Sequence, residues 1–274
     1  MSDIFDKFSL VGKTTIVTGG AGLLGKQFTL TLAQAGAMVV VADLNQGTAE
    51  DHAELIKQQG LKAISITVDV TDPTSVHDLV NRVVASFGTV DVLVNSAALD
   101  PKFDPEHAGI QNDNSFEHYS LKAWHDSLNV NLTGLFLMSQ AVAAQMKLQS
   151  QGVIINICST YGLGGPDQRI YEIPGEPRKF KPVDYSVTKA GVLGFTRYLA
   201  AYYAGTRIRV NALSPGGVYN EHGDGFVKNY SGRTILGRMA NIDEMNGAIL
   251  FLASDASSYM TGSNLVVDGG WTAW

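Results

Sequence analysis

The 274-residue chain has a single cysteine, Cys158, so it forms neither an internal disulfide nor a zinc site built from several cysteines. No run approaches the roughly 18 consecutive apolar residues that a membrane-spanning helix needs. Residues 1–13 lack the charged start and apolar centre of a secretory signal. Together these absences predict a cytoplasmic protein in a reducing compartment, with no membrane partner.

Positive charge is also scarce, because 20 Lys and Arg residues face 26 Asp and Glu residues and leave a net charge of −6. A nucleic-acid-binding or anionic-lipid-binding protein normally shows a basic surface, so we expect neither partner. The six histidines include no pair three or four residues apart, and we predict no metal site. The composition is 45% hydrophobic and 17% charged, which is typical of a globular protein with a full core.

Short apolar runs alternate with helical patterns along the chain. A continuous apolar run of strand length is typical of a parallel strand that is buried on both faces. The predicted strands are 14–18, 38–42, 63–68, 92–94, 153–157, 208–213 and 264–267. The predicted helices are 24–36, 46–59, 73–87, about 123–148, 184–204 and 243–253. This alternation, without a proline-rich linker, predicts one α/β domain over residues 1–274: a doubly wound Rossmann fold with a seven-stranded parallel sheet flanked by helices.

Three glycines, Gly19, Gly22 and Gly25, lie between the first strand and the first helix. A turn without Cβ atoms lets backbone N–H groups and a helix N-terminus approach a pyrophosphate. Asp43 follows at the end of the second strand, where its carboxylate can bind both hydroxyls of an adenosine ribose and would repel a 2′-phosphate. These residues predict a dinucleotide site that prefers NAD to NADP. The alternative is a helix-capping turn followed by a solvated aspartate.

Tyr185 and Lys189 are four residues apart, so they lie on one face of a predicted helix. A free phenol, with a pKa near 10, is a poor base at neutral pH. A neighbouring ammonium group lowers that pKa by stabilising the phenolate. Inside a dinucleotide-binding fold, the pair therefore predicts acid–base catalysis between a hydroxyl and a ketone.

Eight motifs in this order resemble the short-chain dehydrogenase/reductase family over essentially the full length. They occupy residues 18–25, 69–70, 95–98, 129–134, 156–159, 185–189, 214–217 and 266–270. The resemblance implies that Ser159 polarises the substrate oxygen and that Tyr185 transfers its proton. It also implies that Lys189 holds the nicotinamide ribose and lowers the tyrosine pKa, while Asn131 holds a water of the proton relay. The implied cofactor-binding residues are Gly19, Gly22, Leu23, Leu24, Asp43, Leu44, Asp69, Val70, Asn95, Ala97, Tyr185, Lys189, Pro215, Gly216 and Val218.

The chain departs from the compact members of that family in three places. Its glycines at 19, 22 and 25 have the spacing of the larger, sugar-nucleotide branch, and Ala98 stands where glycine is usual. Ser159 and Tyr185 are 26 residues apart, which is far more than compact members have. We predict that this insertion, residues 162–183, and the loop 219–232 form a mobile lid over the site. The alternative is that the insertion is a solvated surface loop with no part in specificity.

The lid is rich in charged and polar residues, and this favours a sugar-like substrate over a fatty chain. Within it, Arg178 and Lys179 are the candidates to meet an anionic group, and Tyr161, Asn220 and His222 the candidates to meet hydroxyls. The predicted function is thus NAD-dependent interconversion of a secondary hydroxyl and a ketone on a small polar molecule. A weak further resemblance is to bacterial members that modify surface or flagellar sugars.

Three alternatives stay open from the residues alone. They are a 3-oxoacyl or other carbonyl reductase, a sugar dehydratase or epimerase with tightly bound NAD, and a non-catalytic nucleotide sensor. By resemblance to the family, we also expect a homodimer or homotetramer that pairs the helix from residue 123 and the helix that holds Tyr185.

Overall fold

The computed structural model describes residues 3–100 and 114–274. Seven strands form one parallel sheet in the order β3-β2-β1-β4-β5-β6-β7. They are β1 (Thr14–Thr18), β2 (Met38–Asp43), β3 (Ala63–Thr67), β4 (Val92–Asn95), β5 (Gln151–Ile157), β6 (Arg207–Pro215) and β7 (Asn264–Val267). The predicted doubly wound α/β fold is confirmed.

Alternate residues of the central strands belong to two different halves of the core. In β1, Ile16 packs on one side of the sheet and Val17 on the other, and both are fully buried. In β5, Ile154 and Ile155 divide in the same way. Because both faces are covered by helices, residues on either side of a strand are buried, and this explains why β2, for example, shows a continuous apolar run rather than alternation.

Eight α-helices in the described residues cover the sheet. They are α1 (Leu23–Gln34), α2 (Gln46–Gln58), α3 (Pro73–Phe87), α4 (Leu121–Leu128), α5 (Leu135–Gln149), α6 (Val183–Tyr202), α7 (Asp224–Ser231) and α8 (Asn246–Ala253). α1, α2 and α8 supply the core of one face, while α3 and α5 supply that of the other. None of the helices in the described part of the chain is long and apolar enough to cross a membrane.

Two predicted elements differ from the structure. The helix predicted at about 123–148 is α4 and α5 joined by a π-helical turn, Asn129–Gly134. Such a turn inserts a residue into the helical ladder and is frequent at functional sites. The segment 219–232, predicted as a loop, contains α7, and the insertion 162–183 contains a short 3₁₀ turn at Gln168–Tyr171.

Candidate active site

The carboxyl ends of β1, β2, β4, β5 and β6 open into a cleft of about 990 Å³. The strand order reverses between β1 and β4, and in open α/β sheets ligands bind at that crevice. Most of the predicted site residues line this cleft, namely Gly19, Gly22, Leu23, Leu24, Asp43, Leu44, Asp69, Val70, Ala97, Ser159, Tyr185, Lys189, Pro215, Gly216 and Val218. Asn95 and Asn131 are not among its lining residues.

The glycine turn packs too closely for side chains. Gly19 has φ +62°, and a Cβ there would lie 2.9 Å from the Ala97 Cα. A Cβ on Gly25 would lie 1.9 Å from the Gly19 carbonyl oxygen. The N-terminus of α1 therefore lies directly against the turn, and its free N–H groups face the cleft as a pyrophosphate site requires. The residues present fit a dinucleotide.

Asp43 is held in place by backbone donors. Its Oδ2 accepts a hydrogen bond from the Ala21 amide at 3.0 Å, and its Oδ1 accepts one from the Asn45 amide at 3.1 Å. The carboxylate is therefore fixed at the end of β2, beside the glycine turn. Across the turn, the Thr18 hydroxyl accepts hydrogen bonds from the Ser96 and Ala97 amides and so joins the ends of β1 and β4.

Asn95 is a correction to the predicted cofactor set. It is buried, and its Nδ2 donates to Ser139 Oγ and to Asn156 Oδ1, whose own Nδ2 donates to Thr196 Oγ1. This chain of hydrogen bonds connects α5, β4, β5 and α6 beneath the cleft. A polar residue at a strand end can point into the cleft or into the core, and the sequence does not distinguish the two.

Asn131 lies in the π-helical turn and joins three elements. Its Oδ1 accepts a hydrogen bond from the Leu99 amide at 2.7 Å, and its Nδ2 donates to the Leu99 carbonyl and to Thr188 Oγ1 in α6. Both ends of the amide are thus engaged with protein atoms. The side chain positions the segment after β4 against α6, and its part in a water relay stays a prediction.

Ser159, Tyr185 and Lys189 meet at the centre of the cleft. Ser159 follows β5, its Oγ accepts a hydrogen bond from the Tyr161 amide at 3.2 Å, and its hydroxyl lowers the pKa of the neighbouring Tyr185 phenol. The Lys189 Nζ lies 5.7 Å from the centre of the Tyr185 ring and donates to the Ile157 carbonyl at 2.9 Å. The helical spacing therefore places the ammonium beside the phenol, as the sequence predicts.

Burial shifts the pKa values of both groups. Desolvation lowers the pKa of Lys189 to about 8, because burial penalises the charged ammonium. Desolvation raises the pKa of Tyr185, the Asp100 carboxylate raises it further, and the hydrogen bond from Ser159 lowers it. In the protein without ligands, the net direction for Tyr185 is therefore upward, opposite to the expectation from the Lys189 charge alone.

The cation predicted to reach the substrate is also corrected. Arg178 pairs with Glu172 at 2.7 Å, its side chain is 62% exposed, and it is not among the lining residues. Lys179 lines the cleft and pairs with Glu176. Lys181, which the sequence analysis did not single out, has its Nζ 3.9 Å from the centre of the Tyr185 ring. Three basic residues within four positions, Arg178, Lys179 and Lys181, look alike in the sequence, so only the fold distinguishes them.

The predicted lid is built on a buried aromatic cluster. Tyr161, Tyr230 and Trp271 are each less than 9% exposed, and Tyr230 stacks on Trp271 with ring centres 4.4 Å apart. Ile170 of the insertion belongs to the same cluster. The two segments therefore pack against each other and against the carboxyl-terminal Trp271, rather than lying free over the site. The four-residue spacing of Phe226 and Tyr230 is the sequence pattern that could have indicated α7.

Asn229 ties α7 to the insertion through hydrogen bonds to the Ile170 and Glu172 carbonyls. His222 stacks on Phe226 with ring centres 5.1 Å apart. Asn220 and His222, predicted to meet hydroxyls, line the cleft, as does Tyr161. Within the described residues, no three His, Cys, Asp or Glu side chains are grouped as metal ligands would be.

Comparisons with known proteins agree with this geometry. Residues 20–272 match a family model described as enoyl-(acyl carrier protein) reductase. The chain is 35% identical to 3-oxoacyl-[acyl-carrier-protein] reductase of Thermotoga maritima, over 95% of this chain and 98% of that protein. It is 34% identical to D-threitol dehydrogenase of Mycolicibacterium smegmatis, over 97% of this chain and 95% of that protein.

A solved structure of similar shape is a gluconate 5-dehydrogenase from Burkholderia cenocepacia in complex with NADP and tartrate. It has a TM-score of 0.84 and 31% identity, and the match covers 99% of this chain and 100% of that one.

Proposed function

The chain belongs to the short-chain dehydrogenase/reductase family, and from this premise we propose that it is an NAD-dependent enzyme that interconverts a secondary hydroxyl and a ketone on a polyhydroxy substrate. The observation that supports this proposal best is the cleft itself. Ser159, Tyr185 and Lys189 meet where a cradle for a dinucleotide opens onto a wall of tyrosines and charged residues.

The proposed chemistry assigns one task to each residue. The bound nicotinamide supplies the acceptor or the donor of a hydride. Tyr185 Oη accepts the proton of the substrate hydroxyl in oxidation and returns it to the carbonyl oxygen in reduction. Ser159, which lines the cleft beside Tyr185, donates a hydrogen bond to the same substrate oxygen. Lys189 stabilises the phenolate and holds the nicotinamide ribose.

The proposal of NAD rests on the charges around the ribose position. In the described lining of the cofactor half, no Lys or Arg stands beside Asp43 and Leu44, so nothing there balances a 2′-phosphate. The similar gluconate 5-dehydrogenase is solved with NADP, so the cofactor differs between relatives. The fixed carboxylate of Asp43 favours NAD in this chain.

The proposal of a polyhydroxy substrate rests on the wall opposite the cofactor half. Tyr161 and Tyr171 are joined through their hydroxyls at 3.1 Å, and Asn220, His222 and four acidic side chains line the same region. Such a wall offers aromatic faces for C–H groups and many hydrogen-bond partners for hydroxyls. A fatty acyl chain would leave these polar groups unpaired at a cost of about 1–3 kcal/mol each.

Cofactor turnover tests the proposal. Purified protein with NAD and a panel of polyols, sugar acids and 3-hydroxyacyl thioesters is followed at 340 nm, where only the reduced cofactor absorbs. We expect stoichiometric NADH from a polyol or a sugar acid. Product formation without net NADH indicates the dehydratase or epimerase alternative, and turnover restricted to the thioesters indicates the 3-oxoacyl reductase that the Thermotoga relative represents.

A further inference from the structure

Lys181 lies where the substrate meets the catalytic tyrosine. Its Nζ is 3.9 Å from the centre of the Tyr185 ring and 5.9 Å from that of Tyr161. It is also close enough to Lys189 to lower the pKa of that ammonium. The ammonium of Lys181 therefore lines the cleft directly beside the proposed acid–base group, and the proposed chemistry gives it no task.

The backbone of Lys181 is fixed by one side chain. The Lys181 amide donates to Gln168 Oε1 at 2.8 Å, and Gln168 Nε2 donates back to the Lys181 carbonyl at 3.0 Å. Pro182 follows and precedes the first residue of α6. Gln168 thus joins the two ends of the insertion and sets the direction in which Lys181 leaves the chain. A site residue needs this kind of support to hold its geometry.

Lys181 forms an ion pair with Asp100. The two partners differ in exposure, because the Lys181 side chain is 12% exposed and that of Asp100 is 50% exposed. The cation is thus a buried part of the cleft, whereas its carboxylate partner can turn into solvent at small cost. A carboxylate of the substrate would have to displace Asp100 in order to pair with Lys181.

The charges of the surrounding wall select the kind of anion. Around Lys181, the described lining carries Asp100, Glu176, Glu221 and Asp224 against Lys179, Lys181 and Lys189. A phosphate dianion would enter a region with more acids than bases, while a single carboxylate would replace the one that Asp100 already supplies. This balance favours a monoanion.

We propose that Lys181 binds a carboxylate of the substrate in exchange for Asp100, so that the enzyme acts on hydroxy acids in preference to neutral polyols. This inference rests on the proposed function, because it concerns the same cleft. It makes Lys181 a specificity-determining residue and Asp100 an internal competitor for it.

Calorimetric binding to the enzyme–NADH complex tests the exchange without requiring turnover. The probes are two matched pairs of equal carbon number, D-gluconate with D-glucitol and D-threonate with D-threitol. For the unaltered protein we expect the acids to bind about tenfold more tightly than the polyols, as one charge-assisted hydrogen bond provides. Lys181→Gln removes this preference and Lys181→Arg retains it. Asp100→Asn tightens acid binding, because the competing carboxylate is gone.

Arg178→Gln is the matched control, since it removes a positive charge three residues away that faces solvent. It leaves the acid preference unchanged. Three results overturn the exchange: equal affinity of the unaltered protein for acids and polyols, equal weakening of both by Lys181→Gln, or weaker acid binding in Asp100→Asn. Weaker acid binding in Asp100→Asn would show that the ion pair between Lys181 and Asp100 holds the structure together instead of competing with the substrate. Failure of the proposed function appears separately, as bound acids and polyols that yield no NADH.

Discussion

The carboxylate of Asp43 is the single group on which the choice of cofactor depends. Both of its oxygens accept backbone hydrogen bonds, so it cannot swing away to make room for a phosphate. Leu44, the next residue, offers no positive charge and is 70% exposed. A neutral, shorter side chain at position 43 removes the repulsion but leaves the rest of the cradle intact.

We therefore predict that Asp43→Ser lowers the ratio of kcat/KM for NAD to kcat/KM for NADP by about tenfold or more, the size of one lost charged interaction. Steady-state kinetics with both cofactors measures this ratio. Asp51→Ser, an exposed change on α2, is the control and leaves the ratio as it was. An unchanged ratio in Asp43→Ser would show that another residue selects the cofactor.

Asp100 affects catalysis through charge. Its carboxylate raises the pKa of Tyr185, and the deprotonated phenol is the form that accepts a proton from an alcohol. In Asp100→Asn the pKa of Tyr185 falls. The acid limb of the profile of kcat/KM for a neutral polyol, which reports the free enzyme, then moves to lower pH.

The pH profile of Glu54→Gln, a change in an exposed ion pair on α2, should match that of the unaltered protein. A limb that moves to higher pH in Asp100→Asn, or does not move, would mean that Asp100 does not act on Tyr185 in solution.

Individual side chains also show where sequence reasoning ends. Tyr185 and Lys189 could be located because helical spacing determines their relative positions, whereas Ser159 was expected only from the resemblance to the family. Lys181 could not be located, because its direction depends on Gln168, 13 residues away, and on the turn before Pro182. Asn95 lies at a strand end, where a side chain can point either into the cleft or into the core, and the sequence does not distinguish the two. In the structure its amide points into the core.

The first helix and the glycine turn form one closely packed unit. The hypothetical Cβ of Gly25 would overlap the Gly19 carbonyl oxygen, whereas a Cβ on Gly47, near the start of α2, would contact only Asn45 Oδ1, at 3.7 Å. The same substitution near the start of two helices therefore has opposite consequences. Overpacking of this kind costs about 1–3 kcal/mol, while alanine in a helix gains up to about 1 kcal/mol over glycine.

We predict that Gly25→Ala lowers Tm and weakens NADH binding, because the start of α1 must move away from the turn. Gly47→Ala leaves Tm equal or higher and NADH affinity unchanged. Thermal unfolding and fluorescence titration of NADH measure the two effects. Equal behaviour of the two variants would contradict the close packing at Gly25.

The elements that the sequence did not reveal are those that break a regular pattern. The π-helical turn at Asn129–Gly134 lies within one long helical signal, because inserting a residue leaves the apolar face nearly continuous. α7 has eight residues, and its apolar contacts are made to the insertion and Trp271 rather than to the sheet. Its composition therefore resembled that of a loop.

The sheet as a unit was predictable for a general reason. Parallel strands joined by crossover helices are buried on both faces, and right-handed connections allow few strand orders in the sheet.

Contacts between subunits have no such signal in the sequence. Leu135 and Val192 are buried within one chain, whereas Phe136, Tyr198 and Tyr202 are 45%, 66% and 64% exposed.

We predict that these exposed aromatic residues of α5 and α6 pair with their copies, so that the mass in solution is two or four times 29.3 kDa. Light scattering at micromolar concentration measures it. Tyr198→Glu combined with Tyr202→Glu reduces the mass, and Lys62→Glu, at an exposed position before β3, does not. A mass near 29.3 kDa for the unaltered protein would contradict the assembly.

Tyr185 performs the proposed proton transfer, and its helical spacing to Lys189 is the sequence observation that predicts this role. The decisive measurement is the rate of NADH formation by Tyr185→Phe, with NADH affinity determined on the same sample. Because the change removes only the phenolic oxygen, we expect kcat to fall by about 10²-fold or more, the contribution of a positioned acid–base group, while the fold and the affinity for NADH persist. Full activity in Tyr185→Phe would contradict the assigned chemistry.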